Sequence, residues 1–195
     1  GNPFQVFTPF WKNCLANLKF GIPLKAPKKL TPFDQPLKSV AVAKLGLLPK
    51  IKWDGEFPAA WDPTRKGAEK RLKDFVAAPV KNYPTNRDIP KLDGTSRLSP
   101  YLALGCLSLR EVVQATQSRM AHLPPEASRQ RQGLAAFMSR LVWHCHFIQK
   151  LEDEPELELR NLHRGYDGLR EPGWNPAQFE ALQQGRTGWP MVDAC

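Results

Sequence analysis

Arg129–Leu151 reads RQRQGLAAFMSRLVWHCHFIQKL, and its spacing decides the fold. Leu134, Phe137, Met138, Leu141, Val142, Cys145 and Ile148 recur at i, i+3, i+4, i+7, i+8, i+11 and i+14. At 3.6 residues per turn these side chains share one broad face, which is the pattern of a core helix. Glu152-Asp153-Glu154-Pro155 closes it. Towards the N-terminus, Pro124-Pro125 breaks the chain, and Ser108-x-x-Glu111 is a capping box that predicts a helix to about Met120. Ser99-Pro100 predicts a cap and first-turn proline for a short helix, Tyr101 to Leu104, closed by Gly105. Asp62 and Pro63 predict the same for a helix carrying Ala68, Leu72, Phe75 and Val76, which Pro79 and Tyr83-Pro84 end.

Near the start, Phe7-Thr8-Pro9-Phe10-Trp11-Lys12 predicts a short helix capped by Thr8. Beyond the core helix, residues 160–175 read as a loop. Pro176 to Gln184 reads as a short helix with Gly185 past its end, and a further helix begins near Met191. No period-2 run and no internal repeat is present. The expected fold class is all-α: a multi-helical domain over residues 62–195, preceded by an irregular, Pro-rich inter-domain connector over residues 1–61. Over residues 21–63, Pro23, Pro27, Pro32, Pro36, Pro49, Pro58 and Pro63 leave no room for a long helix or an inner strand.

The chain has 195 residues, 42% hydrophobic and 24% charged, enough to bury a core. No apolar run approaches the roughly 18–20 residues that span a bilayer. The absence of an initiator Met, with both ends looking cut, reads as a piece of a longer protein, and cysteines expected to be reduced thiols suit a cytoplasmic location. Net charge is +9, unevenly placed: residues 1–100 hold 18 basic and 8 acidic side chains, and residues 101–195 hold 10 and 11. That favours an anionic partner: nucleic acid, anionic lipid or a phosphorylated cofactor. Cysteines 14, 106, 145 and 195 form no CxxC pair and no metal-ligand spacing with histidine, so reduced thiols are expected. His144-Cys145-His146 does not make a metal site, because adjacent helical positions point about 100° apart.

Thr95-Ser96-Arg97-Leu98-Ser99-Pro100 is the motif with chemistry in it. Hydroxyl donors, a guanidinium and the free N–H groups of a helix start converge there, which suits an anion or a phosphate. The extended string is more specific. Tyr83, Arg87-Asp88, Asp93-Gly94-Thr95-Ser96-Arg97-Leu98-Ser99-Pro100-Tyr101-Leu102-Ala103-Leu104-Gly105, Leu107-Ser108 and Arg110 resemble the flavin-binding segment of the photolyase/cryptochrome family. Val6-Phe7-Thr8-Pro9-Phe10 resembles the same family's passage out of its N-terminal antenna domain. Leu141-Val142-Trp143 resembles its core helix, and Gly185 to Ala194 resembles its Gly-x-Thr-Gly-x-Pro-x-Val-Asp-Ala signature.

The resemblance implies a helical domain that holds FAD, and light-driven electron transfer from the reduced flavin to a pyrimidine dimer in DNA. The dimer is flipped out of the duplex to reach the flavin. It implies FAD-binding roles for Tyr83, Thr95, Ser96, Arg97, Leu98, Ser99, Phe137, Arg140 and His144. It implies lesion contacts for Trp143, Arg140 and His144, with Trp143 as a platform for a flipped base. Arg97 either pairs with a carboxylate or approaches a phosphate, and Leu98 packs on the cofactor or the core. No catalytic residue and no metal ligand is assigned. Damaged DNA is the expected partner, a monomer the expected state, and an antenna chromophore would belong to a domain outside this chain.

Three positions depart from the family pattern. Arg140 stands where dimer-repairing members carry a Glu that accepts hydrogen bonds from the damaged bases. His144 stands where Arg is usual, and Phe137 where Trp is frequent. Exchanging a carboxylate for a guanidinium reverses the local charge and removes an acceptor. A cryptochrome-like photoreceptor without repair activity is therefore the alternative.

Overall fold

The computed structural model describes residues 4–17, 19, 21–31, 38–47 and 61–194, and among these every regular element is helical. The helices are α1 (Phe7–Asn17), α2 (Arg65–Ala77), α3 (Tyr83–Asn86), α4 (Ser99–Ala103), α5 (Leu109–Ala121), α6 (Ser128–Asp153), α7 (Pro176–Gln183) and α8 (Pro190–Asp193). The all-α expectation holds. Residues 21–31 and 38–47 carry no regular structure apart from one 3-10 turn at Val42–Leu45. The stretches 32–37 and 48–60 of the expected connector lie outside the described residues. No helix among the described residues is long and apolar enough to cross a membrane. The chain divides into two compact units, residues 6–145 and residues 1–5 with 146–195.

The core lies in the unit of residues 6–145. α2 contributes Ala68, Leu72, Phe75 and Val76, all buried, at the i, i+4, i+7, i+8 spacing of one helical face. α5 adds Val112 and Val113, and α6 adds Leu134, Phe137 and Leu141. Val80, Tyr83, Leu98, Tyr101, Leu107 and Leu123 fill the connections. α6 meets the turn at Pro79–Asn82 through Gly133, where a methyl group would lie 1.9 Å from the Val80 carbonyl oxygen.

Local signals gave most helix ends correctly. Ser108 and Glu111 form the full capping box of α5. Asn175 caps α7 by accepting from the N–H groups of Ala177 and Gln178. Trp174 packs on Phe179 at 4.8 Å across that cap, a hydrophobic staple. Gly105 and Gly185 take the left-handed conformation just past α4 and α7.

Three caps differ from expectation. α2 is capped by Thr64 rather than Asp62: Thr64 Oγ1 accepts from Gly67 N at 3.0 Å. The Asp62 carboxylate instead turns back to accept from Thr64 N at 2.9 Å, and its carbonyl accepts from the Tyr101 hydroxyl at 2.8 Å. The helix therefore starts two residues later. α1 begins at Phe7, so Thr8 is inside it and Pro9 sits in the first turn, where no N–H partner is lost. α4 begins at Ser99 without a side-chain cap, because its flanking residue Leu98 is already near helical dihedrals with its side chain in the core.

The core face of α6 is shorter than its pattern. Leu134, Phe137, Leu141 and Val142 are buried, but Ile148 is 46% exposed. Ile148 falls in the other unit, where His146 is the one buried residue among 146–194. In that unit Lys150 Nζ donates to the Gln5 carbonyl at 3.0 Å. The loop 160–175 contains two 3-10 turns, Arg164–Tyr166 and Glu171–Gly173.

One ion pair ties α2 to α5. Arg65 binds Glu111 through both guanidinium ends and also donates to the Cys106 carbonyl at 2.8 Å. Hydrogen bonding from Arg65, helped by Ser108, holds the Glu111 carboxyl down at about 2 from an ordinary 4.5. A depressed folded-state value stabilises the protein above about pH 4.5, and the contribution is lost as pH falls towards 2. Arg65 is half exposed, so solvent screening reduces the effect to about 1–2 kcal/mol. Glu111→Gln should lower the unfolding midpoint at pH 7 and leave it nearly unchanged at pH 2. Equal losses at both pH values would contradict this assignment.

Candidate functional site

The hydroxyl-bearing turn rides on α3. A methyl group on Gly94 would lie 2.4 Å from the Asn86 carbonyl oxygen, so only glycine permits this approach. Thr95 is exposed and lines a cavity of about 70 Å³ with Arg71, Asp74, Phe75, Pro79 and Asp93. Ser96 is half-buried: its carbonyl accepts from Arg71 Nε at 3.2 Å, and its Oγ accepts from Leu98 N at 3.4 Å. Arg97 has φ 52°, the left-handed region that is costly for a side-chain-bearing residue. Its guanidinium pairs with Asp93 at 3.0 Å, and Asp93 also meets Arg71 at 3.6 Å. Of the two readings of Arg97, the carboxylate pair is present. Leu98 is 2% exposed and packs in the core, while the Ser99 residue is exposed at the start of α4.

Tyr83 opens α3 and is buried. Its ring meets Phe75 edge-on at 5.7 Å and Phe137 at 5.7 Å, and Phe75 meets Phe137 at 4.9 Å. Arg87, one turn later, stands 5.6 Å over the same ring. Burial pushes the Tyr83 phenol up, and the charges of Arg87 and Arg140 oppose that shift. Arg140 of α6 thus acts on Tyr83 of α3. Phe75 is the joint of the arrangement, because it touches Tyr83 and Phe137 and also lines the Thr95 cavity.

Tyr83, Phe137 and Arg140 are therefore together, and Thr95 joins them through Phe75. His144 is exposed one turn beyond Arg140 on α6. Trp143 is half-buried, and its ring stacks on Phe7 of α1 at 3.8 Å with 8° between planes. Phe7 in turn stands over Trp11 at 6.3 Å. Sequence reasoning placed Phe75 on a helix face and Asp93 in the motif but gave neither of them, nor Arg71, a role at the site. Arg87 had a local signal, at i+4 from Tyr83. Asp93 had one too, at i,i+4 from Arg97, and Phe75 had its place in the helical stripe, but the Arg71 contacts with Asp93 and Ser96 act across a loop and carried none.

In the second unit, the Asp193 carboxylate accepts from the N–H groups of Thr187 at 2.8 Å and Gly188 at 3.0 Å, and from the Thr187 hydroxyl. These bonds hold the carboxyl below its usual range, Thr187 first. Here Asp193 fastens its own turn, which explains a hydroxyl and a glycine at 187 and 188.

Residues 137–195 match the model of the FAD binding domain of DNA photolyase. The whole chain is 34% identical to a deoxyribodipyrimidine photo-lyase from Agrobacterium fabrum and covers 39% of it. It is 31% identical to the Synechococcus protein of that name, again over 100% of this chain and 40% of the relative. Cryptochrome-2 of Arabidopsis thaliana is 26% identical over the full chain, which covers 32% of it. The structure is similar to that of a bacterial class III photolyase from Agrobacterium tumefaciens, with a TM-score of 0.84 and 33% identity, covering 100% of this chain and 39% of that one. The chain spans about two fifths of the length of these photolyases.

Proposed function

We propose that the chain is part of a photolyase/cryptochrome-type protein and forms part of the FAD site of a light-driven DNA repair enzyme that splits UV-induced pyrimidine dimers, a reading supported by its similarity to the FAD binding domain of DNA photolyase and to photolyases over the whole chain. The observation that carries this is the turn ahead of α4. Thr95 and Ser99 are exposed there, Arg71 and Arg97 stand beside them, and Leu98 pins the turn to the core. Such a donor set fits a diphosphate. The 70 Å³ cavity beside Thr95 is far smaller than the roughly 300–1,000 Å³ of a nucleotide-sized pocket. These residues therefore supply one wall of the site.

Bound in its reduced form, FAD would supply a photoexcited electron to the dimer and recover it after the dimer splits. This chain's residues would do the holding. Thr95, Ser96 and Ser99 would hydrogen-bond the phosphates, and the Asp93–Arg97 pair would keep the turn in shape. Tyr83, Phe137 and Leu98 would set an apolar floor. Arg140 and His144 would place positive or proton-bearing groups towards the flavin and the lesion. Trp143 would offer a stacking surface to a flipped base, a contact worth about 1–3 kcal/mol per base. Residues 1–61 would serve as the inter-domain connector, and residues 62–195 as part of the helical FAD domain. Damaged DNA as partner, an antenna chromophore outside this chain, a monomeric state and a cytoplasmic location complete the reading.

The test is an absorption spectrum of the intact protein, followed by blue-light treatment with UV-irradiated DNA. A flavin spectrum and light-dependent loss of dimers are expected. No bound flavin would refute the proposal. Arg140 favours a second reading, because a guanidinium cannot accept a hydrogen bond from a dimer's N–H groups. A cryptochrome-like receptor would photoreduce its flavin and leave dimers intact. Arg140→Glu should raise the repair rate for cyclobutane dimers. An unchanged or lower rate would show that the reversed charge is not what limits repair.

A further inference from the structure

Residues 4–31 contain Lys12, Lys19, Lys25, Lys28 and Lys29 and no Asp or Glu. All five lysines are exposed, and none takes part in an ion pair among the described residues. By contrast, Arg65, Lys70, Arg71, Arg87 and Arg97 each pair with a carboxylate. Among the described residues no carboxylate compensates the charge on the arm. Residues 21–31 form no helix or strand and bend at Lys28, with Pro23 and Pro27 preventing a helix. The arm is tethered where it crosses α5: Gln114 Nε2 donates to the Gly21 carbonyl at 3.2 Å. At that crossing the exposed Arg110 guanidinium comes within 3.7 Å of the Gly21 Cβ position. The neighbouring carboxylate, Glu111, is committed to Arg65 and does not neutralise Arg110.

We infer that Lys25, Lys28 and Lys29, with Arg110 at the tether, form a track for the phosphate backbone of DNA outside the lesion site. This deepens the proposed function and rests on its choice of DNA as partner. Lys25 and Lys28 are three residues apart in a segment without helix, which at a rise of about 3.1 Å per residue would set them about 9 Å apart. Such an array holds a polyphosphate through charge and without regard to base sequence. Ile22, Leu24 and Leu30 are exposed on the same arm, which raises the case of a lipid surface. Lipid binding of that kind uses an amphipathic helix, and the proline spacing here does not allow one. DNA is the better fit.

The test uses the intact protein and the triple variant Lys25→Gln, Lys28→Gln, Lys29→Gln. Binding to a lesion-free duplex is measured between about 50 and 200 mM salt, where phosphate contacts set the slope. The log–log slope should fall by about 2–3, and affinity near 0.1 M salt by about tenfold or more. A lesion-containing duplex should lose the same factor. Flavin absorbance and the unfolding midpoint should stay unchanged, since the three side chains are exposed. An unchanged slope overturns the inference. So does intact DNA binding with lost binding to phosphatidylserine vesicles. Dimer repair together with an unchanged slope refutes the arm and spares the repair reading. A reduced slope in a protein that splits no dimers does the reverse.

Discussion

Phe75→Ala should lower the unfolding midpoint by the equivalent of about 3–5 kcal/mol and weaken flavin retention at the same time. Phe75 is 4% exposed. Its ring makes edge contacts with both Tyr83 and Phe137, so truncation leaves a cavity with two aromatic edges unpartnered. It also lines the Thr95 cavity, so the turn that would hold the phosphates loses its backing. Phe75→Leu keeps most of the volume and should recover most of the stability. It should recover less of the flavin binding, because the edge contacts that orient Tyr83 need a ring. Thermal unfolding and flavin absorbance of the intact variants check both parts. A midpoint within about 1 kcal/mol of the parent for the alanine variant would remove Phe75 from the centre of the core.

Gly133→Ala should be the other large loss, about 3 kcal/mol, although alanine is the better helix former. Helix propensity alone favours alanine over glycine by about 1 kcal/mol. Against it stands a methyl carbon 1.9 Å from the Val80 oxygen and 2.7 Å from the Val80 carbonyl carbon. The obstacle is backbone and cannot rotate aside. Either α6 or the Pro79–Asn82 turn must move, and both carry core residues, Leu134 and Val80. The steric term therefore wins. A raised midpoint for Gly133→Ala would show that the two backbones are not in contact. Gly133→Ser should behave like the alanine variant, since its Cβ is placed identically.

The features legible in the sequence are those whose physics acts within about one helical turn. The capping box of Ser108 and Glu111 needs only residues three apart. The stripe from Leu134 to Val142 needs only the helical period. The motif from Thr95 to Ser99 pointed to a phosphate site because hydroxyls and a helix start adjoin in the chain. The details that failed depended on distant partners. Asp62 lost its capping role because the Tyr101 hydroxyl takes its carbonyl. Ser99 lost its capping role because the buried Leu98 side chain sets the dihedrals before it. The end of α5 is closed by Arg131, whose guanidinium donates to the carbonyls of Met120 and Leu123, a pairing that no spacing rule announces.

By itself the sequence determined helices, most of their ends, the all-α class and the resemblance to photolyases, since periodicity, capping and contiguous motifs are written along the chain. Only the tertiary structure decided that Phe75 joins Tyr83 to Phe137, that Arg140 acts on Tyr83, that Trp143 stacks on Phe7, and that Gly133 touches Val80. Those contacts join segments far apart in the chain. Which side chains meet there depends on how whole helices pack, and burial and close packing settle that only once the core is assembled.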